Sequence, residues 1–168
     1  MILVTGGFGF IGSNLIRVLN ARGITDIVIV DDLADGSKMM NLNGCEFHSY
    51  YDVDSFFRDF DDWDRIKFIF HEGAISSTRE MNGTLMMKRN YDFSVKLFNK
   101  SFERKIPFQY ASSASVYGNV PNNVRIPEDA PINPQTPYAF TKNLFDNTVK
   151  KLLASEHFPK MEFNVQGL

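Results

Sequence analysis

The stretch Ile2-Leu3-Val4-Thr5-Gly6-Gly7-Phe8-Gly9-Phe10-Ile11-Gly12 joins three kinds of local structure. Its first residues are apolar and predict a strand, and its glycines predict a tight turn. Apolar side chains then recur at helical spacing, at Ile11, Leu15, Val18 and Leu19, which predicts an amphipathic helix. A strand, a glycine turn and a helix N-terminus form an anion site, because free N–H groups and the helix dipole point at the same place.

Each of the three regularly spaced glycines has a predicted task. Gly6 permits the turn, Gly9 lets a diphosphate approach the backbone, and Gly12 lets the helix pack closely. The pattern is G-x-x-G-x-x-G rather than G-x-G-x-x-G, so the loop is one residue wider. Glycines alone would also fit a plain turn, but a cluster that follows a strand and opens a helix predicts dinucleotide binding.

Residues 26–31 are apolar between two acids and predict a second, buried parallel strand. Asp31 follows Gly12 at close to the ~20-residue separation expected for the carboxylate that binds an adenosine ribose. The alternative is a capping or solvated loop acid. Asp32 would share the ribose, and Lys38 would either reach a 2′-phosphate or lie exposed in a loop.

Further strands are predicted at residues 45–51, 67–71 and 107–112, and helices at 52–64 and 83–103. His71 is predicted to be a packed residue at a strand end, because no second histidine follows at the spacing of a zinc site. No metal site is predicted. The pattern predicts an α/β fold with a Rossmann-type doubly wound parallel sheet, in the order 3-2-1-4-5-6, within one domain over 1–168.

Tyr138 and Lys142 lie one turn apart on a helix that Thr136 caps and Pro137 opens. A tyrosine with a pKa of ~10 is a poor base at neutral pH, but a neighbouring ammonium favours the phenolate. A serine after the fifth strand can hold the substrate oxygen. The Y-x-x-x-K spacing alone would fit two surface residues; its combination with the glycine loop, Asp31 and the serines is specific.

Composition excludes several other classes of protein. The net charge of -2 is accompanied by no long run of Lys or Arg, so no nucleic-acid partner is predicted. The apolar runs are shorter than the ~18–20 residues that span a bilayer, so no membrane association is predicted. The first residues are expected to form a strand rather than a signal peptide. A single cysteine, Cys45, excludes an internal disulfide and is compatible with a cytoplasmic location.

The chain resembles the extended short-chain dehydrogenase/reductase family of nucleotide-sugar epimerases and dehydratases over nearly its whole length. The motifs that carry the resemblance are Thr5-Gly-Gly-x-Gly-Phe-Ile-Gly12, Ser112-Ser-Ala-Ser-Val-Tyr-Gly118 and Tyr138-x-x-x-Lys142. Within the family, the chain is similar to the ADP-glyceromanno-heptose 6-epimerases, which supply heptose for lipopolysaccharide, at residues 23–27, 31–33, 35–38, 71–74, 76–78, 106–108 and 110–114.

The resemblance implies a nucleotide-sugar substrate and a tightly held nicotinamide cofactor, NADP with NAD as the alternative. It implies transient oxidation and re-reduction of the sugar, with Tyr138 as base, Lys142 on the nicotinamide ribose and Ser113 as catalytic serine. Ser112 is the alternative serine. Substrate contacts fall on Ser113 and Asn164. Cofactor contacts fall on Gly6, Gly9, Phe10, Ile11, Gly12, Asp31, Asp32, Lys38, Glu72, Gly73, Ala74, Ile75, Ser76, Asn90, Lys142 and Val165.

Four features depart from the family pattern. Phe8 replaces a small residue and is expected to add bulk near the phosphates. Val53 stands where the 6-epimerases often have a lysine for the extra phosphate, which together with Asp31 and Asp32 keeps NAD open. Gln166-Gly167 replaces Tyr-Gly-Pro. The family continues beyond a length of 168 residues with a substrate-binding domain that supplies a second acid/base, so the chain is expected to be incomplete relative to it.

Three hypotheses remain open from the sequence, of which the 6-epimerase is the first. Another reaction of the same family, such as UDP-sugar 4-epimerisation or reduction, would use the same residues. Dehydration is disfavoured, because Ala114-Ser115 stands where dehydratases have an Asp-Glu pair. A non-catalytic NAD(P)-binding module is the third alternative. Apolar surface left uncovered by a missing domain would favour a homo-oligomer.

Overall fold

The computed structural model describes residues 1–120 and 125–154, and five strands within them form one sheet. The strands are β1 (Ile2–Thr5), β2 (Ile27–Asp31), β3 (Ser49–Asp52), β4 (Phe68–His71) and β5 (Phe108–Tyr110). Every pairing is parallel, and the strands lie in the order β3-β2-β1-β4-β5. This is a Rossmann-type doubly wound sheet, and it confirms the predicted order of the first five strands.

The register of the sheet aligns polar residues at the ends of neighbouring strands. Thr5, the last residue of β1, pairs with Val30 on one side and with His71 on the other. Asp31 follows Val30 and ends β2. Since parallel strands end at the same edge, Thr5, Asp31 and His71 lie along the carboxyl edge, where sheets of this class bind their ligands.

Five α-helices are described: α1 (Phe10–Ala21), α2 (Phe56–Asp59), α3 (Gly83–Met86), α4 (Phe93–Glu103) and α5 (Pro137–Ala154). A π-helical segment, Met87–Asp92, joins α3 to α4. Three 3₁₀ turns lie at Gly36–Leu42, Trp63–Arg65 and Ala114–Tyr117. None of the helices in the described ranges has the length and apolar character needed to cross a bilayer.

The chain divides into two compact units, which differ in the elements they hold. The first comprises Met1–Gly73 and Asn99–Tyr110 and contains the sheet and α1. Its core is formed by apolar residues of β1, β2 and α1, with the ring of Phe8 among them. The second comprises Ala74–Phe98 and the described residues from Ala111 onward. In that unit the rings of Phe98 and Phe145 meet edge to face, with centroids 6.2 Å apart.

The prediction of a helix over residues 52–64 was wrong in extent. The structure has only the single turn α2 and the short 3₁₀ turn after it, because the backbone is extended at Phe60. That extension brings the rings of Phe56, Phe60 and Trp63 together, with centroids 5.1–5.4 Å apart. The aromatic residues of this segment therefore form a compact buried cluster and do not line one face of a long helix.

Candidate functional site

The glycine loop between β1 and α1 is wound too tightly for side chains at two positions. Gly6 has a φ of +67°, and a Cβ there would lie 2.7 Å from the Cα of Gly73. A Cβ on Gly12 would overlap the carbonyl oxygen of Gly6. The predicted turn at Gly6 is confirmed. At Gly12 the start of the helix lies close to the backbone of Gly6 and Gly7 in the loop.

The first turn of α1 offers backbone donors at an exposed position. Its N-cap is Gly9, so no capping side chain comes from that residue, and its first turn contains no acid. Phe10 and Ile11 follow, with Phe10 84% exposed. Because the first N–H groups of a helix have no intrahelical acceptor, this turn offers its donors to an anion.

Asp31 ends β2 as a buried carboxylate with several donors around it. Its Oδ2 accepts a hydrogen bond from the Phe8 N–H at 2.8 Å, and its Oδ1 accepts one from the Asp32 N–H at 2.7 Å. Its exposed fraction is 8%. The carboxylate therefore holds the glycine loop through the backbone of Phe8. The sequence predicted a ribose contact for Asp31 but not this one.

Lys38 reaches back from the 3₁₀ turn to the end of β2. Its Nζ lies 3.0 Å from Asp31 Oδ1 and donates to the carbonyl oxygen of Asp32 at 2.7 Å. Asp35 caps this turn by accepting from the Ser37 N–H. Its pKa is lowered first by a hydrogen bond with the Ser37 side chain and then by this bond to the backbone. Lys38, with its side chain 35% exposed, is thus held at the end of β2, and its role toward a 2′-phosphate stays a prediction.

The expectation that Phe8 adds bulk near the phosphates is not met. Its ring is only 5% exposed and packs in the core of the first unit. It meets the ring of Tyr50 edge to face at 5.7 Å. Because the side chain turns inward, Phe8 adds contacts to the core rather than bulk to the outer surface of the glycine loop.

Tyr50 lies between the core and the acids at the carboxyl edge. Its Oη donates to the carbonyl oxygen of Asp31 at 3.3 Å. Burial raises the pKa of this phenol above its usual value, and the negative charges of Asp52, Asp31 and Asp32 raise it further. The phenol is thus held in its neutral form beside the acidic strand end.

His71 is a packed residue at the end of β4, as predicted. Its Nδ1 lies 2.6 Å from Thr5 Oγ1, and its side chain is almost fully buried. Thr5 Oγ1 also accepts a hydrogen bond from the Gly73 N–H at 3.0 Å. The Thr5 hydroxyl thus ties the end of β1 to the chain that leaves β4, a role that the sequence did not reveal.

Asn90 binds a backbone segment in the second unit. Its Oδ1 accepts from the Ile75 N–H at 2.8 Å, and its Nδ2 donates to the Ile75 carbonyl oxygen at 3.0 Å. The residue is 2% exposed and also contacts Thr141 Oγ1 at 3.3 Å. Asn90 therefore orders Ile75, another predicted cofactor residue, through both polar groups of its peptide backbone.

The wide turn around Asn90 is the π-helical segment. The N–H of Phe93 bonds to the carbonyl oxygen of Lys88, five residues before it. The carbonyl oxygen of Asn90 accepts instead from the Ser94 hydroxyl at 2.6 Å. Such single wide turns are uncommon and often lie at functional sites. The predicted continuous helix over 83–103 is confirmed, but its interior geometry was not foreseen.

Lys142 is buried on α5, with 5% of its surface exposed. Its Nζ donates to the carbonyl oxygen of Ala111 at 2.7 Å, two residues before Ser113. Ser113 caps the 3₁₀ turn that follows, and its Oγ lies 2.8 Å from Ser115 Oγ. The structure thus joins the helix of Tyr138 and Lys142 to the segment that carries Ser113.

Tyr138 lies half-buried in the first turn of α5, one turn before Lys142. The predicted start of this helix is confirmed, since Thr136 Oγ1 accepts from the Ala139 N–H at 3.2 Å. Ser112, the alternative serine, donates its hydroxyl to Asp146 Oδ2 at 2.6 Å. Asp146 was not singled out from the sequence, although it lies four residues beyond Lys142, on the same helix face.

The predicted site residues fall into both units and beyond them. The first unit holds Gly6, Gly9, Phe10, Ile11, Gly12, Asp31, Asp32, Lys38, Glu72 and Gly73, and the second holds Ala74, Ile75, Ser76, Asn90, Ser113, Tyr138 and Lys142. Asn164 and Val165 lie outside the described residues. The contacts within each unit leave the assignment to cofactor or substrate as a prediction.

Comparison with known proteins places this geometry among sugar-nucleotide enzymes. A model of the NAD dependent epimerase/dehydratase family matches residues 2–162. The ADP-L-glycero-D-manno-heptose-6-epimerase of Helicobacter pylori is 29% identical to this chain, with a TM-score of 0.73. The match covers 90% of this chain and 50% of the epimerase. The UDP-glucose 4-epimerase of Thermus thermophilus, in complex with NAD, is likewise 29% identical with a TM-score of 0.73, covering 90% and 50%.

A dehydratase is also among the similar structures. An NAD-dependent NDP-hexosamine 5,6-dehydratase involved in tunicamycin biosynthesis is 26% identical with a TM-score of 0.78, and the match covers 95% of this chain and 52% of that one. The chain thus spans about half the length of the solved structures that it matches.

Proposed function

Because the chain belongs to the NAD-dependent epimerase/dehydratase family, we propose that it carries the cofactor-binding part of a nucleotide-sugar epimerase. The proposed reaction is that of the ADP-glyceromanno-heptose 6-epimerases, an inversion by transient oxidation and re-reduction. The observation that carries this proposal is the arrangement of α5, whose Lys142 is buried against the backbone two residues before Ser113.

The first unit is proposed to bind the adenosine diphosphate part of the cofactor. The exposed first turn of α1 supplies N–H donors to the diphosphate, and the small residues of the loop keep side chains away from it. Asp31 and Asp32 at the end of β2 are proposed to face the ribose. Within this proposal Asp31 has a double role, since it also supports the loop through Phe8.

The second unit is proposed to carry the proton chemistry. Tyr138 holds and returns the proton of the sugar hydroxyl at its phenolic oxygen, one helical turn from Lys142. Ser113 donates its hydroxyl to the substrate oxygen. A bound nicotinamide would accept and return the hydride.

NADP is the proposed cofactor, with NAD as the competitor. Lys38 supports NADP, since its ammonium stands at the end of β2, where a 2′-phosphate would lie. The negative charges of Asp31 and Asp32 would repel a 2′-phosphate and so favour NAD. Lys38 would have to bind the phosphate while it keeps its ion pair with Asp31. The ratio of the two affinities therefore reports on Lys38.

UDP-sugar 4-epimerisation is the second candidate reaction. It is supported by the Thermus thermophilus UDP-glucose 4-epimerase, which matches this chain with the same identity and TM-score as the 6-epimerase. The serine and the Y-x-x-x-K pair would serve either reaction. The two reactions are therefore distinguished by which sugar nucleotide the chain epimerises.

The test is a titration followed by a turnover assay on the purified chain. Calorimetry with NADP and with NAD measures cofactor binding, and chromatography of ADP-heptose and UDP-glucose after incubation measures epimerisation. We expect a dinucleotide to bind and ADP-heptose to be inverted. Epimerisation of UDP-glucose but not of ADP-heptose would support the 4-epimerase reaction instead. Dinucleotide binding without turnover of either substrate would support a non-catalytic cofactor-binding module. A chain that binds neither dinucleotide would contradict the whole proposal.

A further inference from the structure

Helix α5 contacts the segment after β5 at two consecutive residues. Lys142 Nζ donates to the carbonyl oxygen of Ala111 at 2.7 Å. Ser112 Oγ donates to Asp146 Oδ2 at 2.6 Å. Residues 142 and 146 are one helical turn apart and share a face of α5. The helix therefore attaches to the same short segment through a cation and through an anion.

The contact of Asp146 with Ser112 has the character of a strong hydrogen bond. A hydroxyl that donates to a carboxylate forms a short, charge-assisted bond, roughly twice as strong as one between neutral groups. Both side chains are half-buried, which limits competition from water. A bond of this kind fixes the position of Ser112 along α5 better than apolar packing would.

Ser113 follows the two attached residues directly. Its backbone is extended, with φ -153° and ψ 136°, and it caps the 3₁₀ turn Ala114–Tyr117. The turn is closed by bonds from the Val116 N–H to the Ser113 carbonyl oxygen at 3.2 Å and from the Gly118 N–H to that of Ser115 at 3.1 Å. The position of the Ser113 hydroxyl thus depends on where the chain leaves Ser112.

We propose that Asp146 is a positioning residue, which acts through Ser112 to set the place of Ser113 relative to the helix that carries Tyr138. The proposal rests on the proposed function, because it takes Ser113 and Tyr138 to be the groups that touch the substrate. It also assigns Ser112 a fixed task. A hydroxyl that is committed to Asp146 is a poor substitute for Ser113, so the two serines are not interchangeable.

The test compares Asp146→Ala, Asp146→Asn, Ser112→Ala and the double variant Asp146→Ala with Ser112→Ala. The amide oxygen of Asp146→Asn can still accept from Ser112, whereas the other variants lose the bond. Asn147→Ala is the matched control, because Asn147 is an exposed neighbour on α5 whose amide bonds locally, to the side chain of Asn143. The readouts are kcat, KM, cofactor affinity and amide hydrogen exchange of residues 111–118.

A misplaced catalytic serine lowers kcat while the binding contacts remain. We expect Asp146→Ala to lower kcat by roughly 10- to 100-fold, with KM and cofactor affinity close to those of the unmodified chain. Ser112→Ala should match it, the double variant should be no worse than either single one, and Asp146→Asn should recover most of kcat. Exchange at Val116 and Gly118 should rise in Asp146→Ala and Ser112→Ala and stay low in Asp146→Asn and Asn147→Ala.

Two results would overturn the proposal. An Asp146→Ala variant with unchanged kcat and unchanged exchange would show that the bond positions nothing. Additive losses in the double variant would show that Asp146 does not act through Ser112. If the unmodified chain binds a dinucleotide but turns over no sugar nucleotide, the proposed reaction fails by itself and cofactor binding stands. In that case the exchange pattern alone decides whether Asp146 orders Ser113, so the two failures are distinguishable.

Discussion

The backbone N–H of Phe8 donates to the carboxylate of Asp31 at 2.8 Å, which ties the glycine loop to the end of the neighbouring strand. The two residues are 23 positions apart in the chain. The same carboxylate receives Lys38 and the Asp32 N–H. The shape of the loop and the acid that ends β2 are therefore coupled, and a change at Asp31 should alter both.

Replacing Asp31 with alanine should destabilise the fold as well as weaken cofactor binding. The buried N–H of Phe8 would lose its acceptor, at a cost of about 1–3 kcal/mol. Urea unfolding measures this loss, and calorimetry measures the affinity for the dinucleotide. Asp61→Ala, at an exposed acid, is the control. Unchanged stability in Asp31→Ala would show that the hydrogen bond to Phe8 contributes nothing.

Replacing Lys38 with methionine should weaken NADP more than NAD. A charge-assisted contact with a 2′-phosphate is worth about 1.5–3 kcal/mol, so the NADP affinity should fall by roughly 10- to 100-fold. The affinity for NAD should change little. Parallel titrations with both dinucleotides measure the ratio of the affinities. Lys67→Met, at an exposed lysine directly before β4, is the control. Equal losses for both cofactors would contradict the assigned role.

Replacing Gly12 with alanine should distort the loop. The added Cβ would overlap the Gly6 carbonyl oxygen, and relief of such overpacking costs about 1–3 kcal/mol. We expect a lower melting temperature and at least about tenfold weaker dinucleotide binding. The control is Gly83→Ala, where an added Cβ would meet no described atom within 4 Å. If both variants bind alike, the tight winding of the loop is not required for binding.

Replacing Tyr138 with phenylalanine should abolish epimerisation and spare cofactor affinity. The change removes only the phenolic oxygen, the proposed proton acceptor, and a lost general base typically costs ~100- to 10,000-fold in rate. Tyr91→Phe is the matched control, since its hydroxyl contacts Thr148 at 3.1 Å in the same unit. Turnover that survives in Tyr138→Phe would refute the assigned base.

Tyr50 gives a prediction for alkaline pH. Its pKa is raised, first by burial and then by nearby acids, so folding favours the neutral phenol. The stability that this adds is fully present below pH ~10, the pKa of an unfolded tyrosine, and is lost as pH rises through the higher folded value. Ultraviolet titration of the unmodified chain against Tyr50→Phe should isolate a phenol that ionises above pH ~10. A difference transition at or below that pH would contradict it.

The alternation of strands and helices was enough to predict the order of the strands, and local signals were enough to predict the glycine turn and the start of α5. The glycine turn at Gly6 and the cap at Thr136 are determined by neighbours in sequence, which is why the structure confirms both. The apolar run that ends in Asp31 also predicted its strand almost to the residue.

Contacts between distant residues could not be predicted from the sequence. The partner of Ser112 is Asp146, 34 positions away, and no local pattern pairs a serine with an acid at that distance. The inward turn of Phe8 depends on the space beside Tyr50, which belongs to another strand. Aromatic residues over 52–64 fitted a helix by spacing, but the backbone extends at Phe60 and brings their rings together in a cluster instead.

The π-helical segment gives its helix one residue more than a regular helix would need. The Phe93 N–H bonds to the Lys88 carbonyl oxygen, five residues before it rather than four, so the wide turn holds an extra residue. Removing one residue between Met87 and Asp92 would therefore let the turn close as ordinary α-helix, with the residues before and after it on their present faces. In homologous chains, a one-residue deletion here should leave the flanking helix in register and cost only the bonds that Asn90 makes to Ile75.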